Sequence, residues 1–165
     1  MMTPRFMEGI IDLLQKNALM PRDEMAKLLG LPRAELDSAI AKLEAEGVIL
    51  GYQAVVNREK WDTENVTAVI EVKITPERDG GFDRIASRIA RFDEVQSCYL
   101  VSGGYDLLII VEAPNLRAAA SFVAEKLSTI EAVQATATHF RLKTYKENGT
   151  FHLFEPTSER LSVSP

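Results

Sequence analysis

Cysteine occurs once in this chain of 165 residues, at Cys98. A lone thiol excludes an intrachain disulfide framework and a cysteine-paired zinc site, and it suits a reducing compartment. Its expected role is packing, since free cysteine is among the most buried residue types. Histidine is nearly as scarce: His139 and His152 stand far apart without metal-ligand spacing and read as structural or surface residues. No phosphate-binding glycine loop and no nucleophile elbow occurs. The chain is therefore not expected to be an enzyme, and no metal or cofactor is expected. No run approaches the ~18–20 uncharged apolar residues of a membrane span, and Met1 to Phe6 lack the basic-then-apolar pattern of an export signal. No membrane partner is expected, and the default location is the cytoplasm. A surplus of positive charge is missing too, because 19 Lys and Arg face 24 Asp and Glu for a net charge of -5. Bulk charge cannot hold nucleic acid here, so any DNA binding must come from a local patch.

Hydrophobic residues make up 46% of the chain and charged residues 26%, enough for a real core in one medium domain or two small ones. The first 58 residues read as helices followed by a short extended piece. Phe6, Ile10, Leu13 and Leu14 fall on one face of a helix ending near Lys16 and Asn17. Pro21 opens a second helix, with Met25, Leu28 and Leu29 as its apolar residues and Gly30 as its stop. Pro32 opens a third, Arg33 to Glu46, which carries Leu36, Ile40 and Leu43 and ends at Gly47. The short connection Gly30-Leu31-Pro32, with Ala26 just before it, fits a helix-turn-helix. Val48 to Asn57 then reads as one or two short strands, a small wing, and residues 59–65 as a linker with Trp61 anchoring it.

Residues 66–147 change character. Val66 to Ile74 alternates as a half-buried strand ended by Pro76. Phe82, Ile85, Ile89 and Phe92 line a helix, and Val95 to Val101 forms a strand. The Gly103-Gly104 pair predicts a hairpin into Tyr105 to Val111. Pro114 and Asn115 start a helix reaching Ser128, buried through Leu116, Ala120, Val123 and Leu127, and Val133 to Lys143 is the last strand. The order β-α-β-β-α-β is the ferredoxin-like arrangement, an antiparallel sheet with both helices on one face. The fold class is thus α+β, a helix-turn-helix domain followed by a βαββαβ domain. The tail, 148–165, retains Phe151, Leu153 and Phe154 and is read as an edge strand or a docking segment.

The segment Leu43-Glu-Ala-Glu-Gly-Val-Ile-Leu-Gly-Tyr52 at the end of the helix-turn-helix, followed by a βαββαβ unit carrying Leu100-Val-Ser-Gly-Gly-Tyr-Asp106, resembles the Lrp/AsnC regulators, the leucine-responsive or feast/famine family. The resemblance covers roughly residues 6 to 145. It implies a transcriptional regulator that binds double-stranded DNA with its first domain. The second, RAM-type domain would dimerise through its sheet and bind a small effector, usually an amino acid, between dimers. A homodimer, assembling further to a tetramer or octamer, is the implied state. Siroheme decarboxylases resemble the same fold, but they carry a His-Asn-Tyr type motif where this chain has Ser97-Cys98-Tyr99.

Opposite Leu36, Ile40 and Leu43 the third helix presents Ala34, Ser38, Ala41, Lys42 and Ala45. Arg22, Arg33, Ala34, Ser38 and Lys42 are the candidate DNA contacts, and Arg5, Lys27 and Arg58 are further available cations. Along this helix Arg33 and Lys42 are outnumbered by Glu35, Asp37, Glu44 and Glu46, which predicts weak nonspecific affinity and dependence on paired half-sites or higher assembly. An amino-acid effector needs backbone N–H donors for its carboxylate beside an anionic acceptor for its ammonium. Ser102, Gly103, Gly104, Tyr105 and Asp106 offer both, with Tyr105 closing over the ligand. Thr136 and Thr138 match, by resemblance, the region that contributes polar contacts across the interface. A sensor or co-regulator of the same fold with little DNA binding is the alternative.

Overall fold

A computed structural model of the chain describes residues 4–61, 64–75 and 81–152. The chain divides into two compact units, Met1–Ala54 and Val55–Pro165. The expected stop at Pro76 and the apolar tail residues Leu153 and Phe154 lie outside the described residues.

The first unit contains α1 (Pro4–Lys16), α2 (Arg22–Leu29) and α3 (Arg33–Ala45). Ile10 and Leu14 from α1, Met25 and Ala26 from α2, and Leu36, Ala39, Ile40 and Leu43 from α3 form one buried cluster. Leu28, expected on the buried face, is exposed because Met25 and Ala26 already fill the contact, and Phe6 lies in the first turn with its ring partly in solvent. Gly30 terminates α2 at a φ of 65°, a left-handed conformation that a side chain disfavours. The N–H groups of Leu31 and Gly30 donate back to the carbonyls of Ala26 and Lys27, which closes the helix and turns the chain into α3. Beyond α3, residues 48–57 form no strand. Two short strands need a ladder between them, and this stretch has no partner run among the described residues; Tyr52 instead ties it back by donating to Glu44 at 2.8 Å.

The second unit starts with a short helix, α4 (Arg58–Trp61). Trp61 is 81% exposed, so it does not anchor the linker as expected; Arg58 does so through an ion pair with Glu112 at 2.7 Å. Next come β1 (Val66–Ile74), α5 (Asp83–Ile89), β2 (Val95–Leu100), β3 (Leu107–Ala113), α6 (Leu116–Phe122) and β4 (Val133–Phe140). The sheet order is β2-β3-β1-β4, with every neighbouring pair antiparallel. Ala68, Ile70, Val72 and Ile74 of β1 and Leu107, Ile109, Val111 and Ala113 of β3 pack against Ile85, Ile89, Ala119, Phe122 and Leu127. Directly paired residues share a face, so Val69, Glu71, Tyr99, Leu108, Ile110, Ala137 and His139 lie on the side that these helices leave open.

Helix α6 departs from its expected face. It passes into a π-helical turn, Val123–Leu127, closed by the Ser128 N–H donating to the Val123 carbonyl at 2.8 Å. The wider turn adds a residue to the period, so Ala119, Phe122 and Leu127 are buried while Leu116 and Ala120 face solvent. The last sheet strand ends at Phe140 rather than Lys143, and a small hairpin follows, β5 (Lys146–Glu147) and β6 (Thr150–Phe151). Cys98 is half-buried, its Sγ 3.9 Å from the Ala86 carbonyl oxygen, and burial pushes its thiol pKa up. It packs against the core and is set up to stay protonated.

Candidate functional site

Helix α3 offers the candidate nucleic-acid surface. Its apolar stripe points inward, so Ala34, Ser38, Ala41, Lys42 and Ala45 are all exposed. Arg33, the first residue of the helix, is bound by two carboxylates: its Nε donates to Asp37 Oδ2 at 2.7 Å and its Nη1 to Asp23 Oδ1 at 2.8 Å. Those hydrogen bonds, Asp23 first, hold the guanidinium's proton still more firmly than usual. Lys42 lies 3.7 Å from Glu46 on the next turn. Arg22 is half-buried, with Nη1 4.0 Å from the Met25 sulfur. Burial, followed by the bond to Glu44, raises the pKa of the Tyr52 hydroxyl, which stays protonated and donating; Arg22 acts in the opposite direction. Arg58 serves the second unit through Glu112, and the side chain of Arg5 is outside the described residues. The two cations of α3 are thus both engaged by acids of their own unit.

The glycine loop differs from a tight hairpin turn. The last β2–β3 pair is Leu100 with Leu107, which leaves Val101 to Asp106 as the connection, closed by the Val101 N–H donating to the Asp106 carbonyl at 2.9 Å. Ser102, Gly103 and Gly104 are exposed at its tip, and Tyr105 and Asp106 are half-buried at its base. The β1–β3 ladder ends at Val72 with Leu107, and Asp106 extends it. Its N–H donates to the Val72 carbonyl at 3.0 Å, and its carboxylate accepts from the Ile74 N–H at 2.8 Å. Asp106 therefore has a backbone role that its sequence position did not reveal. Thr136 and Thr138 pair with Val72 and Ile70, half-buried along the outer strand on the helix-covered side. Strand β1 separates them from Asp106.

Of the two acids that hold Arg33, only one escapes a reading by spacing. Asp37, one helical turn from Arg33, is legible as an i,i+4 pair. Asp23 comes from the preceding helix and meets Arg33 only because the turn at Gly30 brings the two helices together. Among the described residues no helix is long and apolar enough to cross a membrane.

Comparison with known proteins agrees with this division. Residues 67–151 match the Lrp/AsnC ligand binding domain, and residues 6–49 match a winged helix-turn-helix DNA-binding unit. Over 157 residues the chain is 43% identical to the HTH-type transcriptional regulator YugG of Bacillus subtilis, covering 94% of this chain and 95% of that one. It is 27% identical over 140 residues to a proline dehydrogenase transcriptional activator of Rhizobium radiobacter, covering 85% and 89% of the two chains. A solved transcriptional regulator of Neisseria meningitidis, in complex with L-methionine, shares the fold with a TM-score of 0.70 at 24% identity over 88% of this chain and 94% of that one. With both units matched in order and a relative similar over nearly its whole length, the chain belongs to the Lrp/AsnC family of transcriptional regulators, helix-turn-helix proteins with a ligand-binding domain.

Proposed function

We propose that this regulator reads DNA with α3, through Arg33, Ala34, Ser38 and Lys42, assisted by Arg22 at the start of α2, and that an amino acid bound at the β2–β3 loop alters its assembly or its DNA affinity. The observation that carries the effector half is the loop itself: exposed Ser102, Gly103 and Gly104 stand beside the Asp106 carboxylate on the family's ligand-binding domain. Backbone N–H groups there suit a carboxylate, Asp106 suits an ammonium, and Tyr105 flanks both. The L-methionine complex of the Neisseria regulator and the Rhizobium relative's name as a proline dehydrogenase transcriptional activator support an amino acid as the ligand class.

Asp106 and the β4 threonines are separated by two strand spacings, about 10 Å, far more than the reach of one amino-acid head group. Thr136 and Thr138 therefore serve the head group from a neighbouring copy of the chain. The open sheet face supplies a dimer interface, and dimers close further into a tetramer or octamer. Such a protein performs no chemistry and acts in the cytoplasm, where its DNA lies.

The test is fluorescence anisotropy of labelled DNA from upstream of the protein's own gene against a scrambled duplex of equal length, at low and moderate salt, with and without each amino acid. Tighter binding to the native duplex at both salts, shifted by one class of amino acid, is expected. No preference at either salt, with an amino acid still bound, would replace this reading by that of a sensor without DNA binding. That alternative draws on the acid pairing of Arg33 and Lys42.

A further inference from the structure

We propose that Arg33 reads a guanine edge rather than gripping a phosphate, with Asp23 and Asp37 as the positioning residues that fix its fork. The inference rests on DNA binding by α3 as proposed above. Arg33 is the first residue of α3, and the N-terminal residues of a recognition helix are those that reach base edges. Asp37 holds Nε and Asp23 holds Nη1, which leaves both Nη2 hydrogens and the second Nη1 hydrogen for another acceptor pair. Guanine presents such a pair in the major groove, O6 and N7.

Charge separates the two roles. A phosphate contact draws its strength from a cation that displaces condensed counterions. Arg33 faces two carboxylates, so its charge is more than matched before DNA arrives, and an anionic phosphate gains little from it. Guanine O6 and N7 are neutral acceptors that need aligned hydrogens rather than net charge. A planar fork already held at two points also loses less freedom on meeting them. Lys42 is the contrast: its one ion-pair partner among the described residues, Glu46, is 3.7 Å away and both side chains are more than half exposed, so it can swing to a phosphate.

The experiment enriches duplexes from a random library with the full-length protein, then titrates the enriched duplex across a salt series with each guanine replaced in turn by 7-deazaguanine, which lacks N7. Wild type is expected to lose about tenfold in affinity at one guanine per half-site. Arg33→Ala and Arg33→Lys should bind native and modified duplexes equally while keeping the wild-type salt slope. Lys42→Ala should weaken all duplexes alike and lower the slope by about one. Asp23→Asn with Asp37→Asn keeps the guanidinium but releases it, and should bind scrambled DNA more tightly with a steeper slope.

If Arg33→Ala instead weakens every duplex equally and flattens the slope, Arg33 is a phosphate contact; the inference fails and DNA reading by α3 stands. If wild type enriches a sequence but no guanine substitution is silenced by Arg33→Ala, the inference likewise fails alone. If wild type enriches nothing and binds no duplex, DNA reading fails first and the role of Arg33 with it.

Discussion

Asp106 joins a structural duty to the effector-binding duty proposed for it. Its bond to the Ile74 N–H terminates the β1–β3 ladder, and its charge stands beside the glycine loop. Two substitutions separate these duties. Asp106→Ala strands a backbone donor, and denaturant unfolding should show a loss of about 1–3 kcal/mol. Asp106→Asn keeps a carbonyl oxygen for Ile74 and should cost much less, yet on the proposed reading calorimetry should show loss of whichever amino acid wild type binds, because a neutral amide is a poor partner for an ammonium. A second carboxylate, Glu94, is held below its usual range, first by the hydrogen bond from Lys126, whose Nζ lies 2.5 Å away. Its pKa is lower folded than unfolded, so its contribution is present above the unfolded value and is lost as pH falls through the depressed folded one. The pair is about one third exposed, which limits the effect to roughly 0.5 kcal/mol. Glu94→Gln should therefore be less stable than wild type at neutral pH, and the two denaturation curves should converge in acid below the ordinary carboxylate range; a gap that persists there would assign the difference to packing.

At the scale of elements, the tail hairpin is the sharpest case. Asn148 and Gly149 adopt φ values of 46° and 81°, the left-handed pair that a tight two-residue turn requires. Gly149→Ala should cost roughly 1–2 kcal/mol of hairpin stability, read as faster hydrogen exchange at the His152 N–H, which donates to the Tyr145 carbonyl; unchanged exchange would mean that the hairpin is held by its neighbours rather than by its turn. The Asn-Gly dipeptide is a strong hairpin signal in sequence, and it puts the turn at the boundary where the tail was expected to begin, so the strand expected there pairs with Lys146–Glu147 rather than with the sheet edge. Elsewhere periodicity carried the reading. Alternation in β1 and the glycine stops at Gly30 and Gly47 are local properties, and they placed the strand and the helices correctly. Helix α6 was not legible in its details because its π turn changes the period midway, moving burial from Leu116 and Ala120 to Ala119 and Phe122. The candidate site was legible as a list of residues, whereas the Asp23 bond to Arg33 and the Ile74 bond to Asp106 arise only when distant segments meet.

For the whole molecule, the limiting quantity is charge. On the proposed reading one α3 would bring Arg33 and Lys42 to DNA, both already paired, so a single copy would have little electrostatic hold. The proposed joining of copies would supply the missing affinity by turning the second half-site contact into an intramolecular step worth roughly 10²–10⁴ in avidity. The open sheet face is suited to that joining: Val69, Leu108 and Ile110 form an apolar centre, flanked by Glu71 with its His139 partner 3.6 Å away. A two-fold axis through such a face matches each patch with its own copy. Ile110→Glu places a carboxylate in this centre without touching the core on the helix side. In sedimentation velocity wild type is expected as a dimer or larger and the variant at the monomer mass of 18.4 kDa. Its affinity for the enriched duplex should fall at least about a hundredfold, while its circular dichroism and the binding of scrambled DNA stay the same. A variant that remains dimeric would move the interface to another surface. A monomer that keeps full affinity would mean that one α3 suffices, against the charge balance of the helix.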